Sequence, residues 1–303
     1  MTALPSYLSA VTNGRLKATI VALRARLSSC TLCPRACRVN RLEGQKGYCG
    51  APDDLVISSV FPHFGEEPPL VGKGGSGTVF LAGCNLKCVF CQNYEISMFM
   101  DGAVYSPAQA ASGMVGLQER GCHNINFVTP THYLPQILEA VLIAARMGLN
   151  VPLVYNCGGY ESVDVIEALE GIVDIYMPDS KFMDEELARR YCNAPDYPEV
   201  ACVAIRQMQR QVGDLIINDA GIAERGLLIR HLVMPNMLDN TKRVLDFIRQ
   251  EISEDAFVNV MAQYRPCHRA SEYGELGRRV SGAEYADAVS YARTIGLRRA
   301  GRH

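Results

Sequence analysis

Cys84, Cys88 and Cys91 stand in the run Gly83-Cys84-Asn85-Leu86-Lys87-Cys88-Val89-Phe90-Cys91-Gln92-Asn93, directly after the apolar segment Thr78-Val79-Phe80-Leu81-Ala82. Three thiolates at Cys-x3-Cys-x2-Cys spacing on one tight loop can bind three irons of a [4Fe-4S] cluster. The fourth iron is then left open to a substrate or cofactor, which implies chemistry rather than electron storage alone. Zinc competes, but its structural sites close with four side chains and its catalytic sites favour His or carboxylate beside Cys. A third reading, three buried small apolar residues, sits badly with the polar neighbours Asn85, Lys87, Gln92 and Asn93.

A second group comprises Cys30, Cys33, Cys37 and Cys49, separated by 2, 3 and 11 residues. Four thiols can close a tetrahedral zinc site or bind an auxiliary Fe-S cluster. A segment this small has little core of its own, so a structural metal is the favoured reading. The remaining cysteines, Cys122, Cys157, Cys192, Cys202 and Cys267, are scattered and read as packing residues. Metal-like grouping among twelve cysteines points to a reducing compartment rather than to disulfides.

These groups need elements to place them. Residues 14–27 alternate apolar and basic positions at helical spacing and lead into the second cysteine group. From residue 77 strand-like and helical stretches alternate, with strands expected at 77–82, 124–129, 151–155, 172–177, 227–234 and 256–262. Helix starts are marked by Ser106-Pro107 with Gln109, by Ser162, by Asp184, by Asn240, and by Ser281 with Glu284. Parallel connections require crossovers, and six units are too few for a closed eight-stranded barrel, so the pattern predicts an α/β partial (βα)6 TIM-like barrel over 77–303. Residues 1–76 form the N-terminal helix and cysteine-rich metal-binding segment.

Active residues of such barrels lie on the loops after the strands. There the sequence offers the three cysteines, then Thr129-Pro130-Thr131-His132, Asn156-Cys157-Gly158-Gly159-Tyr160, Asp179-Ser180-Lys181, Pro235-Asn236 and Gln263-Tyr264-Arg265. His132 and His231 are candidate catalytic groups because imidazole titrates near neutrality, though a histidine beside an apolar strand is also commonly hydrogen-bonded in the core. His63, Glu66 and Glu67 either line the cavity entrance or shape a turn.

The cysteine motif, with Phe90 before its third cysteine and Gln92-Asn93 after it, resembles the radical S-adenosylmethionine (SAM) superfamily. The segments 63–69, 75–78, 124–132, 174–181 and 230–235 further resemble the PflX group, relatives of pyruvate formate-lyase activating enzyme, over roughly residues 15 to 295. The resemblance implies a partial barrel in which SAM chelates the open iron. Reductive cleavage then yields a 5'-deoxyadenosyl radical that abstracts hydrogen from a substrate. It implies Phe90 beside the adenine and Asp179 and Lys181 at the methionyl amino and carboxylate ends. Thr129, Thr131, Asn156, Asn93 and Gln263 are further candidates for cofactor contact. Thr129-Pro130-Thr131-His132 replaces the Gly-Gly-Glu-Pro that the activating enzyme carries for the SAM amino group. A protein or peptide substrate and a reduced flavodoxin or ferredoxin as electron donor are implied partners. Modification of a small molecule and a non-catalytic Fe-S carrier or sensor are the alternatives.

With 303 residues, 48% of them hydrophobic, the chain can bury a large core, and its net charge of -2 gives no general attraction for nucleic acid or anionic membranes. The first residues lack a secretory pattern and no run of eighteen uncharged apolar residues follows, so a cytoplasmic protein is expected.

Overall fold

The computed structural model describes residues 4–301. Helices α1 (Ser6–Thr12) and α2 (Arg15–Ala25) precede β1 (Leu55–His63), α3 (Pro68–Val71) and β2 (Ser76–Leu81). Next come α4 (Tyr94–Phe99), β3 (Ala103–Tyr105), α5 (Pro107–Glu119), β4 (Ile125–Val128), α6 (Leu134–Arg146), β5 (Leu153–Cys157), α7 (Val163–Ala168) and β6 (Ile175–Pro178). The chain continues through α8 (Glu185–Cys192), α9 (Tyr197–Val212), β7 (Ile216–Ile217), β8 (Ala223–Leu232), α10 (Leu238–Phe247), β9 (Phe257–Met261), α11 (Gly282–Thr294) and β10 (Arg299–Gly301).

The strands form one open sheet in the order β10-β9-β8-β6-β5-β4-β2-β1-β3, with β7 on β8. Every neighbour from β2 to β10 along this order is parallel, and β1 and β3 extend the β2 edge antiparallel. The six expected strands are therefore β2, β4, β5, β6, β8 and β9, in an open, TIM-like partial barrel. Residues 1–76 contribute β1 to the same sheet, and Tyr7, Leu16, Leu23 and Leu27 to the same core as Val79, Ile125 and Tyr155.

Helix starts follow the sequence chemistry. Ser106 and Ser281 make capping boxes with Gln109 and Glu284, and Asp184 accepts from the Glu186 and Leu187 amides. At Asn240 the expectation is corrected, because α10 already begins at Leu238. The Asn240 carboxamide instead binds the backbone at Lys181 and Met183, and so braces the loop after β6.

Candidate active site

At the C-terminal ends of the parallel strands lies a cavity of about 240 Å³, walled by Cys88, Phe90, Cys91, Gln92, Asn93, Asp179, Lys181, Arg230, Leu232, Met234, Met261 and Gln263. Backbone detail fixes the loop that supplies the thiols. Gly83 turns the chain at φ 88°, where a Cβ would stand 2.7 Å from the Cys49 carbonyl oxygen. Lys87 also takes a positive φ of 55°, and the Val89 amide donates to the Tyr191 carbonyl at 2.9 Å. Leu86, Cys88 and Phe90 then pack into an apolar cluster with Phe182, Tyr191 and Tyr264. Phe90 meets Phe182 edge-on, with ring centroids 6.2 Å apart.

Burial pushes the Cys84 thiol up to about 12 and raises Cys91, both helped by neighbouring thiols, while Cys88 is raised first by its hydrogen bond with Cys192 and then by burial. Bare thiols here stay protonated, so deprotonation requires a bound cation. Among the described residues no three His, Cys, Asp or Glu side chains gather around one point as ligands of a single ion. The loop suits a cubane, in which each thiolate takes a different iron and the sulfurs stand apart.

In the same cavity wall Asp179 and Lys181 pair at 2.5 Å, and the second Asp179 oxygen accepts from Arg230 Nε at 3.1 Å. Burial opposes ionisation of Asp179, but Lys181 and Arg230 outweigh it and hold the carboxyl below its usual range. Arg230 also donates to the Asn156 carboxamide oxygen at 2.7 Å and pairs with Glu66 at 3.3 Å. Burial raises Glu66, and Arg230 opposes that rise. The Tyr197 hydroxyl accepts from the Lys181 amide at 3.0 Å and lies 2.8 Å from the Asp179 carbonyl oxygen, holding this loop in place. Gly159, at φ 81°, admits the same carbonyl, since a Cβ there would come within 2.2 Å of it.

The structure thus brings Cys88, Cys91, Phe90, Asn93, Asp179, Lys181 and Gln263 to one cavity. Cys84 stands on the same loop, half-buried. Asn156 reaches it through Arg230. Thr131 does not: its hydroxyl donates to buried Glu161 at 2.8 Å, beside the Tyr155 hydroxyl at 2.9 Å from the other Glu161 oxygen. Burial pushes Glu161 up to about 7. Thr129 sits at the end of β4 with a φ of 61°, a strained conformation for a β-branched residue and common at functional loops.

The two candidate catalytic histidines are corrected to structural ones. The His132 ring binds the Ala82 carbonyl at 2.8 Å, and the His231 ring binds the Ser180 carbonyl at 2.7 Å and the Thr241 hydroxyl at 2.9 Å. Burial pushes each down to about 4, which leaves both neutral near pH 7 and outside the cavity wall. Arg230 is the main polar residue that the sequence reading passed over. A signal was available: strand alternation from Leu228 and Leu232 puts Arg230 on their face.

In the N-terminal group Cys30, Cys33 and Cys49 are buried and Cys37 is half-buried. Arg35, between Cys33 and Cys37, donates to the carbonyls of Asn85 at 2.8 Å, Cys192 at 3.1 Å and Asn193 at 2.5 Å. Its guanidinium lies over Tyr48, 4.0 Å from the ring centroid, and the Tyr48 hydroxyl donates to the Leu86 carbonyl at 3.2 Å. One cysteine group is therefore bolted to the back of the other.

An open parallel sheet whose first loop carries three closely spaced thiols, two of them in the wall of a cavity that also holds an Asp–Lys pair, is the arrangement of a barrel-type enzyme with a loop-borne cluster site. The chain belongs to the Radical SAM superfamily, whose family description matches residues 78–248. That family implies a [4Fe-4S] cluster and SAM. The Uncharacterized protein MJ0674 of Methanocaldococcus jannaschii is 35% identical over 279 residues, which is 89% of this chain and 75% of that protein. Uncharacterized protein MJ0808 of the same organism is 22% identical over 262 residues, covering 80% of this chain and 72% of that protein. Native anSMEcpe with bound AdoMet and Cp18Cys peptide aligns with a TM-score of 0.47 and 11% identity, over 71% of this chain and 56% of that one. This chain thus spans little more than half of that solved structure. No helix among the described residues is long and apolar enough to cross a membrane.

Proposed function

We propose that this radical SAM protein acts as an activase of the kind that installs a radical on a protein glycine. Cys84, Cys88 and Cys91 hold the [4Fe-4S] cluster in this reading, and Phe90, Asn93, Asp179, Lys181 and Gln263 hold SAM. When bound, the cluster supplies the electron that cleaves SAM. The chain's own part is to seat a zwitterion on the Asp179–Lys181 pair, stack an aromatic edge at Phe90, and keep water out with Leu232, Met234 and Met261.

The observation that carries this reading is that the ion pair shares the wall of one cavity with Cys88 and Cys91. The cavity, about 240 Å³, is smaller than the roughly 300–1,000 Å³ of an ordinary ligand site. A substrate offered from the mouth, as a protruding protein loop is, suits it better than a second free molecule enclosed beside SAM. Radical modification of a peptide is the second reading, on the same observation. Reduced flavodoxin or ferredoxin is the proposed electron donor; at Cys30, Cys33, Cys37 and Cys49, where no three thiols converge on one point, an auxiliary cluster is proposed ahead of a structural zinc.

Anaerobically reconstituted protein supplied with reductant and SAM should release 5'-deoxyadenosine and methionine. With a glycyl-radical partner present, a glycine-centred electron paramagnetic resonance signal should develop. Release of neither product would overturn the enzymatic reading; products without the glycine signal would shift it to peptide modification.

A further inference from the structure

We propose that Cys192 donates its thiol proton to the sulfur of Cys88 and thereby sets the reduction potential of the cluster, an inference that rests on the iron-sulfur site proposed above. The two sulfurs are 3.1 Å apart. In the iron-free chain either thiol can be the donor. Once Cys88 carries iron it is a thiolate and has no proton, so only Cys192 can donate. A hydrogen bond to a ligating sulfur draws electron density from the iron and favours the reduced, more negative cluster, which raises the potential.

Cys192 is placed to do this without being a ligand. It closes α8 and is not among the residues that wall the cavity. Its exposure is 1%, and it packs in the apolar cluster with Leu86, Phe90 and Phe182, where a hydrogen bond is stronger than in water. Its position is tied at two points. Arg35 donates to its carbonyl at 3.1 Å, and the Val89 amide donates to the Tyr191 carbonyl at 2.9 Å. The helix end and the cysteine loop therefore hold their spacing when iron enters.

Two measurements test the assignment. In iron-free protein, diamide should join Cys88 to Cys192: the two thiols lose two protons and two electrons to the diazene, which becomes the hydrazine, and one S–S bond forms. Non-reducing peptide mapping should show this link as the dominant product, and its absence would remove the adjacency. In reconstituted protein, Cys192→Ala should lower the cluster potential, giving about a tenfold smaller reduced-to-oxidised ratio at a fixed applied potential, which is a shift of about 59 mV for one electron. Cys192→Ser, which keeps a donor, should stay near the wild-type value. An unchanged potential in the Ala variant, or an equal fall in the Ser variant, overturns the inference in protein whose iron content and SAM binding are intact. A chain that takes up no iron overturns the proposed function together with it.

Discussion

The two cysteine groups share a residue type and differ in what faces them. The loop at 84–91 presents Cys88 and Cys91 to an open space that Asp179, Lys181 and Arg230 also line. The segment at 30–49 turns its thiols inward and closes on itself. The Cys30 amide donates to the Val39 carbonyl at 2.9 Å, the Arg38 amide donates to the Cys30 carbonyl at 3.0 Å, and Ala36 and Arg38 adopt φ of 40° and 55° to allow it. Spacing alone supplies metal donors in both places. The proposed chemistry goes with the group that shares a cavity with charged residues, and the other group is joined to it through Arg35 and Tyr48.

The sharpest way to break this comparison is to remove one thiol from each group. Cys91→Ala should abolish the cluster's absorbance and all SAM cleavage while circular dichroism and melting temperature stay close to wild type. Cys33→Ala should do the reverse in kind, lowering the melting temperature and soluble yield, because metal binding in such a segment is also folding free energy. Equal loss of fold in both variants would erase the distinction between a working site and a support.

Arg35→Ala comes next in size. It removes three charge-assisted hydrogen bonds to backbone carbonyls and the contact with Tyr48, so denaturant unfolding should show a loss of roughly 3–5 kcal/mol. Arg35→Lys should recover less than half of it, since one ammonium cannot serve three diverging carbonyls as a planar fork does. A loss under 1 kcal/mol would mean that the two groups are not mechanically joined. Asp179→Asn should act on the working site alone. SAM affinity should fall about tenfold, or roughly 1.4 kcal/mol, in a titration of loaded protein, with cluster iron content unchanged. An unchanged affinity would remove Asp179 from the cofactor site.

Legibility in the sequence follows the range of the interaction. The capping residues Ser106, Asp184 and Ser281 were readable because hydrogen bonds two or three residues away decide them, and the parallel strands because they are near-continuous apolar runs, β5 and β6 being buried along their whole length. Strand β1 was not, since Pro62 and a bulge between Ile57 and Ser59 interrupt its alternation, and β3 and β10 are only three residues long. The cavity placement of Asp179 and Lys181 was legible from their position after a strand. Arg230 reaching Glu66 and Asn156, and Cys192 reaching Cys88, join residues 164, 74 and 104 positions apart. No local pattern encodes such meetings. The histidines misled because residue type reports a titratable ring, whereas burial against the Ala82 and Ser180 carbonyls decides its charge.

His132 also offers the finest test of the comparison, because it touches both regions. Its carbonyl accepts from Arg41 of the N-terminal segment at 2.6 Å, and its ring binds Ala82, two residues before Cys84. Its folded-state pKa is about 4 against an ordinary 6.5. Between those values the unfolded chain binds a proton that the folded chain refuses, so stability falls as pH drops through this window and levels off below about 4. The drop attributable to His132 is roughly 3 kcal/mol at most. Glu161 works in the opposite sense. Its folded pKa of about 7 lies above the ordinary 4.5, so its contribution is lost as pH rises through that range. Comparing wild type with His132→Gln at pH 7 and pH 4.5 cancels the Glu161 part. The variant should lose less stability on acidification than wild type, by about 2 kcal/mol in urea titrations. Equal losses would mean that the ring is not held neutral, and that the junction between the two cysteine regions is wetter than its hydrogen bonds imply.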